Sequence, residues 1–183
     1  MAIRLMSPIP ARLIEVLQDY LPAELDLIDA EEADGVVTPD IPTNPACWHA
    51  LDKKLIVEFP AFSVRGLGSR PNDVKPDTFG RRVDADHRLD LMFHASSGVA
   101  PGASPLNLQK IMHRYVNGAI RVLCLMHEGL DTVADPTRWG SPNTTTVCEW
   151  VDEATYGPET EQEGGAIVRT ATLPVRVRRI ENR

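Results

Sequence analysis

The sequence predicts an α+β domain: an antiparallel β-sheet of about four strands, with a long central helix and an N-terminal helix packed on one face. Three observations carry this. Ser104–Gly129 has apolar residues at helical spacing over its whole length. Arg82–Ala95 alternates in strict period two. The element order is helix, strand, strand, helix, strand, strand, which gives two hairpins flanking a helix and no strand–helix alternation of the kind a parallel sheet needs.

The first helix is expected over residues 8–21. Ser7 is placed to cap it, Pro8 and Pro10 fall in its tolerant first turn, and Ile9, Leu13, Val16, Leu17 and Tyr20 recur on one side. Pro22 interrupts, and Ala23–Ala33 reads as a short acidic helical extension carrying Leu25 and Ile28. Leu55–Val64 is the first strand, with Pro60 forcing an edge or a bulge. In the second, Val83, Ala85, His87, Leu89, Leu91 and Phe93 share one face. Asp84, Asp86, Arg88, Asp90, Met92 and His94 share the wet one.

The central helix has Ser104 at its cap, Pro105 where a missing N–H costs nothing, and Gly129 at its end. At about 1.5 Å per residue it is about 37 Å long. Leu108, Ile111, Met112, Tyr115, Val116, Ala119, Val122, Leu123 and Met126 form its apolar face, and Lys110, Arg114, Asn117, Arg121 and Glu128 lie opposite. Ile120 and Cys124 fall beyond the main face, so the helix is expected to be covered on more than one side. Thr144–Tyr156 and Ala166–Ile180 are the last two strands, expected to pair as a hairpin with an acidic tip. Pro174 marks an edge or a bulge in the second of them.

One domain over residues 1–183 accommodates these elements, with extended loops at 35–54, 65–81 and 130–144. The first loop is punctuated by Pro39, Pro42 and Pro45, so no regular element is expected there. Trp48 in it is expected to anchor the loop against the domain or a neighbouring subunit, and Trp139 sits in the third loop.

No apolar run approaches the roughly 20 residues of a membrane span, and the start lacks a signal-peptide layout. Cys47, Cys124 and Cys148, odd in number and far apart, read as reduced thiols rather than as a disulfide framework or a zinc site. A net charge of −7 argues against general nucleic-acid binding. The charge is segregated: one acidic run covers Glu24–Asp34 and another Glu149–Glu163, while Arg176, Arg178, Arg179 and Arg183 reverse the sign at the C-terminus. Solvated surface is the plain explanation. The sharper one is that unlike patches meet between identical subunits or line a channel.

Chemistry is sparse. The chain has no GxGxxG, Walker loop, GxSxG or HExxH motif, so no cofactor and no catalytic or metal residue is assigned. Asp84, Asp86, Asp90 and His94 define the one enzyme-like alternative, a small metal-dependent hydrolase holding Mg²⁺ or Mn²⁺. Arg88 among them compensates their charge, and no lysine follows at the spacing metal nucleases use. His49, His87, His113 and His127 are isolated, and read as satisfied core or surface residues.

An N-terminal helix and two strands lead to a helix of the YVNGAIRVLCLMHEG type and a closing strand IVRTATLPVRVRRIE. This layout resembles the tail terminator proteins of long-tailed bacteriophages and, more broadly, tail-completion and neck proteins of the same small α+β fold. The correspondence covers most of residues 6–181 as element order and hydrophobic pattern, with no signature residue. The resemblance implies a non-enzymatic virion protein of the tail or neck, assembled in the host cytoplasm. It would form a homomeric ring, commonly a hexamer, that caps the tail tube, meets the head–tail connector and lets DNA pass without specific binding. A head-completion or tail-tube subunit is the alternative within this class. On this expectation Arg114, Arg121, Trp48 and Trp139 are subunit-interface candidates, with the two arginines facing a neighbour's Glu24–Asp34. Glu159, Glu161 and Glu163 are candidates for an acidic lumen wall, which keeps DNA from sticking.

Overall fold

A computed structural model describes residues 8–50, 56, 58–71, 82–97, 105–125, 144–161 and 166–182. Within them, helix α1 (Pro8–Glu32) is followed by strands β1 (Trp48–His49), β2 (Ala61–Pro71) and β3 (Arg82–Ser96). Helix α2 (Pro105–Leu125) comes next, then β4 (Thr144–Val151), β5 (Thr155–Tyr156), β6 (Thr160–Glu161) and β7 (Ile167–Asn182). The fold is α+β, as the patterning predicts, but the sheet has seven strands rather than about four.

The N-terminal helix does not stop at Pro22. It runs unbroken to Glu32 with the proline inside it. Pro22 lacks the N–H that would bond back to the preceding turn, yet Leu21, Leu25 and Ile28 on either side of it are buried to within 2%. Their burial against α2 outweighs one missing hydrogen bond. The contact is close because α2 presents Gly118. A Cβ there would stand 2.8 Å from Leu21 Cδ1 and 3.3 Å from Leu25 Cδ2.

In α2, Leu108, Ile111, Met112, Tyr115, Val116, Ala119, Val122 and Leu123 are all buried, as their spacing predicts. Ile120 is partly buried against the core and Cys124 is exposed, so the expected second cover does not reach Cys124. Ser104 and residues 126–129, expected to cap and end this helix, lie outside the described residues. So do residues 130–143 of the third loop, Trp139 included.

The sheet order is β1-β2-β3-β7-β4, with β5 and β6 also on the outer edge of β7. All pairs are antiparallel except β1 with β2. One core cluster joins both helices to the same sheet face: Phe62 and Val64, Leu89, Leu91 and Phe93, and Ala171, Leu173, Val175 and Val177. His87, on that face by parity, is also fully buried.

The first long strand begins six residues later than its composition predicts. Ala61–Pro71 is strand, and residues 58–60 are not. The stretch from Arg65 reads as loop because of its glycines, but those glycines serve a bulge. The register with β3 shifts between Gly66 and Gly68, Gly68 takes φ +148°, and Leu67 is left outward and 53% exposed.

Residues 35–50 are not an outlying arm. Ile41, Cys47 and Trp48 are buried, Trp48 Nε1–H donates to the Pro42 carbonyl at 2.8 Å, and Trp48–His49 adds a short parallel strand to β2. From Trp48 a line of aromatic rings crosses the core through Phe62 and Phe93 to Tyr115, with centroids 5.0–5.9 Å apart.

The closing hairpin forms as expected, but its first arm is broken into β4, β5 and β6, which zip in succession along β7. Pro174 explains one break. Its carbonyl accepts from Asp152 N–H at 2.9 Å, so its imide nitrogen faces the same side. That is where β4 gives way to residues 152–154 before β5 resumes. The missing donor thus falls in a gap of the ladder. Pro174 marks an irregularity in the neighbouring strand, and β7 lies inside the sheet, not at its edge.

Candidate functional site

The densest polar constellation lies where the C-terminal end of α1 meets α2, and Arg114 is its centre. This arginine is fully buried, against the expectation that it faces solvent or a neighbouring subunit. Its five N–H donors are all engaged within the chain. Nε and Nη2 reach Glu32 Oε2 at 3.0 and 2.7 Å, Nη1 reaches Asp29 Oδ1 at 2.8 Å and the Val36 carbonyl, and Nη2 reaches Asp34 Oδ1 at 2.6 Å. Arg121 likewise pairs with Glu31 of its own chain at 2.6 Å, and Lys110 with Asp34 at 2.8 Å. The basic stripe of α2 is therefore matched by the acidic run of the same chain.

The reason is electrostatic. α1 carries seven acids and no base after Arg12, and three of them, Asp29, Glu31 and Glu32, lie at the C-terminal end, where the helix dipole is already negative. With no base in its own last turn, α1 needs cations from elsewhere, and α2 supplies three. Asp34 is held well below the ordinary carboxylate range, first by Lys110, then by the Val36 N–H and Arg114. Glu31 is lowered by its hydrogen bond to Arg121. For Arg114 burial opposes the charge, but the hydrogen bonds to Glu32 and Asp34 more than offset it and raise its pKa.

The same cluster fastens the segment that follows α1. Asp29 accepts from both the N–H and the hydroxyl of Thr38 at 2.7 Å, and Tyr115 O–H donates to the Pro39 carbonyl. Burial, then Asp40 and Asp29 nearby, pushes the Tyr115 phenol up. Asp40 itself is raised, by burial and by its neighbours Asp26 and Asp29. This constellation is a clamp. Lys110, Arg114 and Arg121 each have a carboxylate partner in the chain.

This clamp was not foreseen from the sequence, although one signal for it is present. Gly118, one turn beyond Arg114 on the same side of α2, marks the close approach of another helix, and the base-free run at the end of α1 is the natural counterpart.

On the sheet face away from α1 and α2, Ser63 Oγ lies 3.0 Å from His94 Nε2, and His94 Nδ1 lies 3.1 Å from Thr170 Oγ1. This line stitches β2, β3 and β7 together. Ser63 is fully buried, and the third member is a hydroxyl rather than a carboxylate, so the arrangement is not that of a nucleophilic triad. Asp90, expected on a wet face, is only 5% exposed and pairs with Arg65. Asp86 stands in register with Arg70 and Arg178. The side chain of Asp84 lies outside the described residues. Among the described residues no three His, Cys, Asp or Glu side chains are grouped to hold a metal ion.

Of the other candidates, Trp48 is buried in its own chain, the first of the two alternatives foreseen for it. Glu159 and Glu161 are exposed beside the hairpin, Glu159 at 3.4 Å from Arg169, and Glu163 lies outside the described residues. Cys47 is buried, and its thiol is pushed up by that burial and by Glu58. His113 packs against Tyr156 with ring centroids 4.3 Å apart and planes tilted by 42°.

No protein-family model matches the chain, and no curated protein matches it significantly in sequence. Among the described residues no helix is long and apolar enough to cross a membrane.

Proposed function

We propose that this chain is a structural, non-enzymatic subunit of a bacteriophage tail or neck. It assembles into a homomeric ring of the tail-terminator type that caps the tail tube, meets the head–tail connector and lets DNA pass. The observation that carries this proposal is the layout of the sheet. Both helices cover one face, the long strands β3 and β7 form its centre, and the opposite face carries no described helix. The β2 edge beyond Ser63 also has no strand partner among the described residues, and Leu67 is exposed on it. Such surfaces are where a neighbouring copy docks. The exposed Glu159 and Glu161 suit an acidic lumen wall.

Negative-stain electron microscopy of the purified chain tests the proposal. Closed rings of one size, six subunits by this reading, are the expected result. A field of single particles of subunit size at every concentration would refute it. Charge reversal of Glu159 and Glu161 is expected to slow DNA passage in assembled particles while leaving rings intact, and unchanged ejection kinetics would remove these residues from the lumen.

A further inference from the structure

We propose that Ala33–Gly35 is a strained hinge and that Arg114 is the latch that holds it shut. When the hinge opens, the segment that follows, through Pro39, lifts from the helix pair as a unit while the core stays folded. This device does not rest on the ring reading.

The hinge is where α1 stops. The Ala33 N–H donates to the Asp29 carbonyl at 3.1 Å and closes the last turn. Ala33 itself has φ +45°, however, and Gly35 has φ +78°. Two left-handed residues in three double the chain back along α1, so that Thr38 lies against Asp29. Gly35 takes that conformation freely, having no Cβ to clash. Ala33 does not. Its Cβ crowds the following carbonyl in the left-handed region, and it has no polar side chain to bond locally as asparagine has. Among the described residues Ala33 is the one non-glycine residue with positive φ. Alanine also favours a helix more than any other residue. Locally, then, the chain is drawn toward a longer α1, which would carry residues 34–39 away from Asp29.

What opposes this is one guanidinium that grips both sides of the hinge. Before it, Arg114 holds Asp29 at 2.8 Å and Glu32 at 2.7 Å. After it, Arg114 holds Asp34 at 2.6 Å and the Val36 carbonyl. The other fastenings of the segment are polar as well: Lys110 on Asp34, Thr38 on Asp29 and the Tyr115 phenol on the Pro39 carbonyl. The apolar hold is slight. Val36 is only partly buried against the core, Val37 is 77% exposed, and the next buried apolar side chain is Ile41. A segment held by few apolar contacts opens locally, at less cost than global unfolding. Opening takes Asp34 and the Val36 carbonyl from Arg114 and the Pro39 carbonyl from Tyr115, and leaves the arginine on Asp29 and Glu32.

Native-state hydrogen exchange tests the device. The Thr38 N–H, bonded to Asp29 at 2.7 Å in a buried residue, reports on the segment, and the Leu91 N–H, in the middle of β3, reports on the core. In the parent chain Thr38 is expected to be protected at least tenfold less than Leu91. Its exchange should be nearly independent of low denaturant concentrations, because a local opening exposes little surface. Ala33→Gly removes the strain and is expected to slow Thr38 exchange about threefold. Arg114→Met is expected to speed it about a hundredfold while Leu91 stays protected. Asp34→Ala, with about a tenfold effect expected, takes its place if circular dichroism shows that Arg114→Met has lost its fold. Equal protection of Thr38 and Leu91 in the parent, with one denaturant dependence, overturns the hinge, since the segment then leaves only with the core. Exchange in Ala33→Gly no slower than in the parent overturns the strain. Parent-like Thr38 exchange in the latch variant overturns the latch.

Discussion

Glu24–Asp34 and Glu149–Glu163 read alike as sequence: acid-rich and almost without bases. In the fold they part. The first run closes on a buried arginine, with Asp29, Glu32 and Asp34 all bonded to Arg114. The second follows the outer edge of β7, where Asp152, Glu153, Glu159 and Glu161 are exposed and Glu159 has a long contact to Arg169. The difference comes from what each run is packed against. A helix end lying on another helix sees a whole face of side chains, and that face holds three bases. An edge segment of short strands sees only its ladder partner, and its side chains alternate outward. Composition alone assigns both runs to solvent, and packing decides which of them stays there.

The largest test of that contrast is Arg114→Met. It removes one donor residue from three carboxylates and a carbonyl, and Asp29 keeps Thr38 while Asp34 keeps Lys110 and the Val36 N–H, so we expect a loss of about 3 kcal/mol, the lower end of the range for breaking a buried ion pair. Thermal unfolding should show this as a fall in Tm of about 6–12 °C. A change within experimental scatter would mean that the clamp is ornamental.

Gly118→Val comes next. A branched side chain would meet Leu21 and Leu25 and push α1 away from the arginine, with an expected cost of about 1–3 kcal/mol in a denaturant titration. A neutral result would show that the helix pair has slack.

Acid titration separates the two runs in another way. Asp34 and Glu31 have folded-state values below their unfolded ones. Their contribution to stability is therefore present above the ordinary carboxylate value of about 4 and is lost as pH falls through the lowered values. The parent chain should lose stability on acidification below that point. Arg114→Met should lose less over the same interval, since one of the donors that lowers Asp34 is gone. Parallel pH profiles for the two chains would contradict this assignment.

The smallest effect is expected from E159K/E161K in the second run, within about 0.5 kcal/mol of the parent by the same titration, as for exposed positions generally. A loss as large as that of Arg114→Met would erase the distinction between the runs.

What could be read from the sequence follows the same division. The face of α2 from Leu108 to Leu123 and the alternation of Arg82–Ala95 were legible, because burial imposes a period and the period is written in the residues. Pro22 misleads, since a local penalty says nothing of the Leu21, Leu25 and Ile28 burial that overrides it. Arg65–Pro71 misleads in the opposite sense, because a glycine pair that serves a bulge in a strand has the composition of a loop. Arg114 lies on the polar side of the helix as read, and the acidic run expected to face it is the one it meets, but in its own chain rather than in a neighbour. A wheel gives the direction of a side chain but not the identity of what lies there, and a long guanidinium stem can be buried along its length. The resemblance to tail terminators, drawn from element order, carries no signature residue, and an assembly measurement is what tests it.

The measurement that bears most directly on the account is the mass of the purified chain by light scattering over a wide dilution series. A single closed oligomer that dissociates on dilution, and sooner at high salt, is the expected result. A mass that stays at one chain throughout the series would contradict the ring and, with it, the role proposed for this protein.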